Sequence, residues 1–345
     1  MNIDRREFFK VVFAGAATAL TAPTAQARPP RELSPDAVGI LYDATLCIGC
    51  KACEVGCKEA NAKPMAHDTP LEQAHGVSGV WDADNDLGSR TLNKIKVYTN
   101  GTAEVKDREL DGFSFVKRNC MHCVDPNCVS ACPVSALTKD PVTGAVRYNP
   151  DACIGCRYCQ LACPFNIPKF EYDKPFPKIV KCEMCSDRLA EGAIPACCEA
   201  CPTGASLFGR VSDLLNEGHR RLTFQPGERQ DYPVNRLDGG ATRTAEVAAY
   251  YPKIYGETET GGTQSLLMAA VPFEKLGFPA LGDESRAQLS ETIQHTLYQG
   301  MMAPTVLLGG LVYAAYRHTH EEREDPTAEQ DKDQAEAKAE ARRHD

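Results

Sequence analysis

Residues 47–57 read CIGCKACEVGC, which sets Cys47, Cys50, Cys53 and Cys57 at the spacing C-x2-C-x2-C-x3-C. The run returns at residues 153–163 as CIGCRYCQLAC, with Cys153, Cys156, Cys159 and Cys163. This is the bacterial ligand pattern for a [4Fe–4S] cluster, in which the fourth cysteine serves the other cluster of a pair. Two looser groups share its beginning: Cys120, Cys123, Cys128 and Cys132, then Cys182, Cys185, Cys197 and Cys201. Sixteen of the seventeen cysteines are thereby grouped, enough thiolates for four cubanes. A chain so occupied implies an electron relay.

Details of the loops support cluster ligation. Gly49 and Gly155 let backbone N–H groups approach sulfur closely. Prolines follow Cys132, Cys163 and Cys201 and fix the direction in which the chain leaves each site. Lys51 and Arg157 each follow a ligand; near a cluster their charge raises its potential, while in solvent they do nothing. The x3 spacing to Cys201 selects Cys197 as the ligand and leaves Cys198 as a small buried apolar residue. His122 lies between Cys120 and Cys123 and reads as a hydrogen-bond donor behind the ligands, since no group lacks a cysteine. His67, His75 and His295 share no spacing and receive no role. Zinc ribbons also use C-x2-C pairs, so a structural zinc-ribbon protein is the alternative of another class. A disulfide framework is disfavoured, because C-x2-C pairs are too close to staple distant loops.

No catalytic motif stands out: the chain has no G-x-S-x-G, no Walker loop and no dinucleotide fingerprint. The net charge of -9 argues against nucleic acid, which needs a basic face.

The duplicated cysteine pattern predicts an α+β fold, a duplicated two-cluster ferredoxin-like domain over residues 36–215. Strands are expected at 40–42, 92–101 and 113–118, the last two as a hairpin insertion between cysteine groups. LTKDPVTGAVRY (137–148) reads as strand, turn, strand, and 211–222 as helix. Residues 216–296, rich in Gly, Pro and Tyr, read as an extended arm.

The two ends suggest a location. Arg5 and Arg6 precede a mildly apolar stretch and Ala25-Gln26-Ala27, so residues 1–27 read as a cleaved twin-arginine signal peptide. That route carries folded cargo, and thiolate ligands need loading in the reducing cytoplasm before they meet an oxidising periplasm. Residues 297–317 open with LYQGMMAPTVLLGGLVYAAY, twenty uncharged residues, the length of one transmembrane helix. Residues 318–345 are acid-rich and read as a disordered cytoplasmic tail. The expected location is the periplasmic face of the inner membrane, in contact with the lipid bilayer.

On these cysteine groups, residues 39–209 resemble the electron-transfer subunits of the dimethyl-sulfoxide-reductase type, which carry four [4Fe–4S] clusters. The resemblance implies four ligand sets: Cys47, Cys50, Cys53 and Cys201; Cys182, Cys185, Cys197 and Cys57; Cys120, Cys123, Cys128 and Cys163; Cys153, Cys156, Cys159 and Cys132. CMHCVDPNCVSACPVSAL (120–137), YPKIYGE (251–257), GGTQ (261–264) and TIQHTLYQGMM (292–302) are similar to the iron–sulfur subunits of hydrogenase-2-type complexes. That likeness implies a relay between the small and large subunits of a [NiFe] hydrogenase and a polytopic, quinone-reactive membrane subunit. The same relay serving a molybdopterin oxidoreductase such as formate dehydrogenase is the nearest alternative, though such subunits usually lack a signal of their own.

Overall fold

The structure is a computed structural model and describes residues 28–61, 79–80, 86–321 and 334. The proposed signal peptide, the tail beyond residue 321, part of the insertion, His67 and His75 lie outside the described residues. Its longer elements are β1 (Val38–Asp43), α1 (Ala52–Ala60), β2 (Lys94–Thr99), β3 (Gly112–Arg118), β4 (Ser206–Arg210), α2 (Val211–Leu222), β5 (Ser265–Met268) and α3 (Ala287–Glu321).

β1 is the keystone. VGILYD has no alternation, the pattern of a strand buried on both faces. It pairs antiparallel with β4, from Val38↔Arg210 to Tyr42↔Ser206, and parallel with β5, from Ile40↔Ser265 to Asp43↔Met268. α2 presents Val211, Leu214, Gly218 and Arg221 inward, at helical spacing. The main core gathers Ile40, Tyr42, Leu46, Tyr98, Phe165, Tyr255, Leu267 and Phe273.

The expected insertion strands form as β2 and β3, paired antiparallel from Lys94↔Arg118 to Thr99↔Phe113. Residues 137–148 form the expected hairpin, Leu137–Lys139 against Val146–Tyr148. Its turn is held by Asp140, whose Oδ1 accepts the N–H groups of Val142 (3.0 Å) and Thr143 (2.8 Å). The helix expected over 211–222 is α2.

Two expectations need correction. Residues 216–296 are not an extended arm, because residues 28–291 form one compact unit. LLMAAVPF (266–273) supplies most of β5 and buried core side chains, among them Leu266, Val271 and Phe273. A short strand buried on both faces shows no periodicity, and its Gly- and Pro-rich flanks imitate a loop. The second correction concerns residues 297–317. They are helical within α3, but no helix among the described residues is long and apolar enough to cross a membrane. The length is sufficient; Gln299, Pro304, Thr305 and the glycines at 300, 309 and 310 dilute the run. Its apolar side chains, including Leu297, Met301, Leu308 and Val312, are exposed.

Candidate iron–sulfur site

Each cysteine group opens with one backbone turn. The residue before the second cysteine is left-handed in every group: Gly49 (φ 69°), His122 (φ 48°), Gly155 (φ 72°) and Met184 (φ 57°). In three of them that residue's N–H points back at the first cysteine, from Gly49 to Cys47 Sγ, Gly155 to Cys153 Sγ and Met184 to Cys182 Sγ, each at 3.4 Å. Other amides reach Cys132 Sγ from Ala136 (3.2 Å) and Cys201 Sγ from Ser206 (3.4 Å). Convergent N–H groups stabilise negative sulfur. The sequence signals this turn only at the two glycines. His122 and Met184 adopt it without glycine's freedom, so composition gives no warning of them.

None of the seventeen cysteines forms a disulfide. One cavity is lined by Cys57, Cys182, Cys185 and Cys197, and another by Cys132, Cys153, Cys156 and Cys159. Cys47, Cys53 and Cys201 act together on the Tyr42 hydroxyl, and Cys128, Cys163 and Cys120 all act on Cys123. Cys50 is the one exposed member among the sixteen. Between groups, Cys197 raises Cys53, Cys120 raises Cys182, and Cys159 raises Cys128. The four groups thus adjoin in a row rather than in a ring of equal neighbours.

The electrostatics suit metal–sulfide ligation. Burial foremost, then neighbouring thiolates, pushes Cys57 and Cys159 up to about 12 and Cys163 up to about 11. Such thiols ionise only when a soft cation replaces the proton. At Cys153 burial also acts upward, but the Tyr148 hydroxyl and the Gly155 and Ile179 N–H groups hold it below its ordinary value. No group of three or more His, Cys, Asp or Glu among the described residues is placed to hold a single metal ion. The donor set fits clusters because thiols meet in fours around two cavities and amides point at their sulfurs.

Four buried or half-buried lysines accompany the cysteines. Lys139 Nζ donates to the carbonyl of Cys123 (2.7 Å), Lys181 Nζ to that of Cys182 (3.0 Å) and Lys106 Nζ to that of Thr45 (2.6 Å). Lys117 Nζ donates to Ser206 Oγ (2.9 Å). Sequence reasoning found none of them, because a lysine in a strand ordinarily faces solvent. Asn93, also missed, donates from Nδ2 to the Cys53 carbonyl (2.9 Å). Cys198 is fully buried, as expected, and its thiol hydrogen-bonds to Cys197, holding Cys197 below its ordinary value against the effect of burial. His122 is buried, with Nδ1 accepting the Val146 N–H (3.0 Å). Its Nε2 therefore carries the proton and has no hydrogen-bond partner among the described residues. An orphaned donor of this kind suits a sulfur acceptor.

A family model described as a 4Fe-4S dicluster domain matches residues 112–211. The hydrogenase-2 operon protein HybA of Escherichia coli O157:H7 is 44% identical over 335 residues, covering 94% of this chain and 98% of that protein. The iron–sulfur subunit of the nitrate-inducible formate dehydrogenase of Escherichia coli K12 is 37% identical over 185 residues, 54% of this chain and 58% of its own. The formate dehydrogenase-O iron–sulfur subunit of the same organism is 37% identical over 207 residues, 60% of this chain and 63% of its own. The turns, the buried thiols and this near-complete alignment converge: the chain belongs to the HybA family of iron–sulfur electron-transfer subunits, related to the iron–sulfur subunits of formate dehydrogenases.

Proposed function

We propose that this chain relays electrons through four [4Fe–4S] clusters between the small and large subunits of a periplasmic [NiFe] hydrogenase and a polytopic, quinone-reactive membrane subunit. The flow would be hydrogen oxidation feeding the quinone pool, or its reverse. The observation that carries the reading is the row of cysteine sets joined at Cys53 and Cys197, Cys182 and Cys120, and Cys128 and Cys159. The ligand sets are those named from the resemblance. Bound clusters supply one-electron acceptance and donation.

The chain's own residues hold that chemistry in place. Backbone N–H groups at Gly49, Gly155, Met184, Ala136 and Ser206 stabilise the thiolates. Lysines beside the cysteines offset negative charge, and the core buries seven of the sixteen ligands. Export of the folded subunit by a twin-arginine signal at residues 1–27 accounts for thiolate ligands on an extracytoplasmic protein. Membrane contact runs through the membrane subunit and lipid beside the exposed apolar side chains of α3.

The test is gentle detergent extraction with a C-terminal tag, followed by mass spectrometry and iron analysis. A nickel-containing hydrogenase pair, a polytopic membrane protein and about sixteen irons per chain uphold the proposal. Recovery of a molybdopterin enzyme replaces the hydrogenase, and zinc without visible absorption removes the relay.

A further inference from the structure

Lys117 differs from the other lysines near the cysteines. Lys139, Lys181 and Lys106 are each tied to a main-chain carbonyl, so each has a structural task. Lys117 lies on β3 opposite Ile95 and is 1% exposed. Its one hydrogen-bond acceptor among the described residues, other than sulfur, is Ser206 Oγ at 2.9 Å. Among those residues it forms no ion pair with a carboxylate. Uncompensated, a buried ammonium costs several kcal/mol, so compensating negative charge must stand nearby.

Its position says where that charge lies. Ser206, which holds Nζ, donates its own N–H to Cys201 Sγ at 3.4 Å. The ammonium acts on Cys53 as well, so on two cysteines of the first proposed set it is either a direct neighbour or one residue away. Its charge also acts on Cys197 and Cys57, both of the second set. Lys117 thus adjoins the first set through Ser206 and acts electrostatically on the second, and the two sets interact through Cys53 and Cys197.

We propose that Lys117 is a fixed counter-charge shared by the two adjoining clusters at Cys47/Cys50/Cys53/Cys201 and Cys57/Cys182/Cys185/Cys197, and that it raises the reduction potential of both. This rests on the four-cluster reading above. The physical reason is simple. An electron added to either cluster increases negative charge beside a cation that solvent cannot screen. Lys117 is a positioning residue for charge; it does not itself accept the electron.

The experiment is a redox titration, followed by electron paramagnetic resonance, of the full-length protein and its Lys117→Met and Lys117→Arg variants, with iron measured on each. Lys117→Met is expected to lower two of the four potentials. The oxidised-to-reduced ratio at fixed potential should change tenfold or more, which is about 59 mV for a one-electron couple. Lys117→Arg should restore both. Four unchanged potentials in a fully loaded Lys117→Met protein overturn the proposal. Fewer than four clusters in the unaltered protein overturn instead the reading beneath it. Should Lys117→Met bind less iron, Ser206→Ala decides, because it leaves the ammonium present but unpinned. A shift in the same two potentials then upholds the proposal, and none overturns it.

Discussion

Arg221 donates from Nη1 to Oδ2 of Asp43 at 2.8 Å, with both side chains wholly buried. The pair joins α2 to the last residue of β1. Asp43 also accepts the Tyr250 hydroxyl (2.7 Å) and, through Oδ1, the N–H and hydroxyl of Thr45 (3.0 and 2.6 Å). The carboxylate thus fixes the chain at Thr45, two residues before Cys47. Breaking a buried pair by removing one partner costs about 3–5 kcal/mol. Arg221→Met should therefore lower the unfolding free energy by that order, read as a lower denaturant midpoint, with iron lost at the Cys47 set before the others. Equal midpoints for the variant and the unaltered protein would remove this pair from the account.

The two ligand-loop glycines should differ in tolerance. Both have positive φ, so alanine at either incurs left-handed strain of about 1–2 kcal/mol. A Cβ at Gly155 would make only ordinary contacts, the nearest with Phe170 Cε2 at 3.5 Å. A Cβ at Gly49 would stand 2.3 Å from Phe115 Cε1, so the ring must move. Gly49→Ala is expected to bind less iron and melt lower than Gly155→Ala, by calorimetry and iron analysis side by side.

Adjacent Cys197 and Cys198 offer a sharper comparison. Both are core residues, but Cys197 lines a cavity with Cys57, Cys182 and Cys185 and Cys198 does not. Cys197→Ser should cost one cluster, read as a fall of about four irons. Cys198→Ser should leave iron near normal while shifting the spectrum slightly, because its thiol hydrogen-bonds to Cys197. Matching iron losses in the two variants would reverse the ligand choice.

Acid sensitivity should trace in part to Glu217. Burial alone would raise its carboxyl, but hydrogen bonds from Arg220 and the charge of Arg221 hold it below the usual value. A depressed carboxylate pKa stabilises the fold at pH above the unfolded value of about 4.3. That stability is lost as pH falls through the lower folded value. Glu217→Gln should melt lower at neutral pH and show a shallower decline of melting temperature as pH falls below about 4.3. Parallel melting curves at every pH would contradict this.

What the sequence disclosed was local. Ligand spacing, the Asp140 turn and the α2 pattern each depend on residues within one loop or helix, so CIGCKAC and DPVTG were readable as they stand. What it concealed depends on distant partners. Lys117 is buried because Ser206 arrives from another cysteine group, and nothing near residue 117 announces that. β5 escaped notice because it becomes a strand only beside β1, more than two hundred residues earlier. The helix at residues 297–316 was legible in its length, but its polar residues outweighed that signal.

The parallel pairing of β1 with β5 governs the order of events during synthesis. A ribosome making this chain releases every cysteine by residue 201, yet the strand that completes the sheet beside the first loop emerges only at 265–268. For that interval the nascent polypeptide carries thiols whose scaffold is unfinished. Iron delivery therefore has to wait for nearly the whole chain, and a translation product halted before residue 265 should leave the first loop without its support.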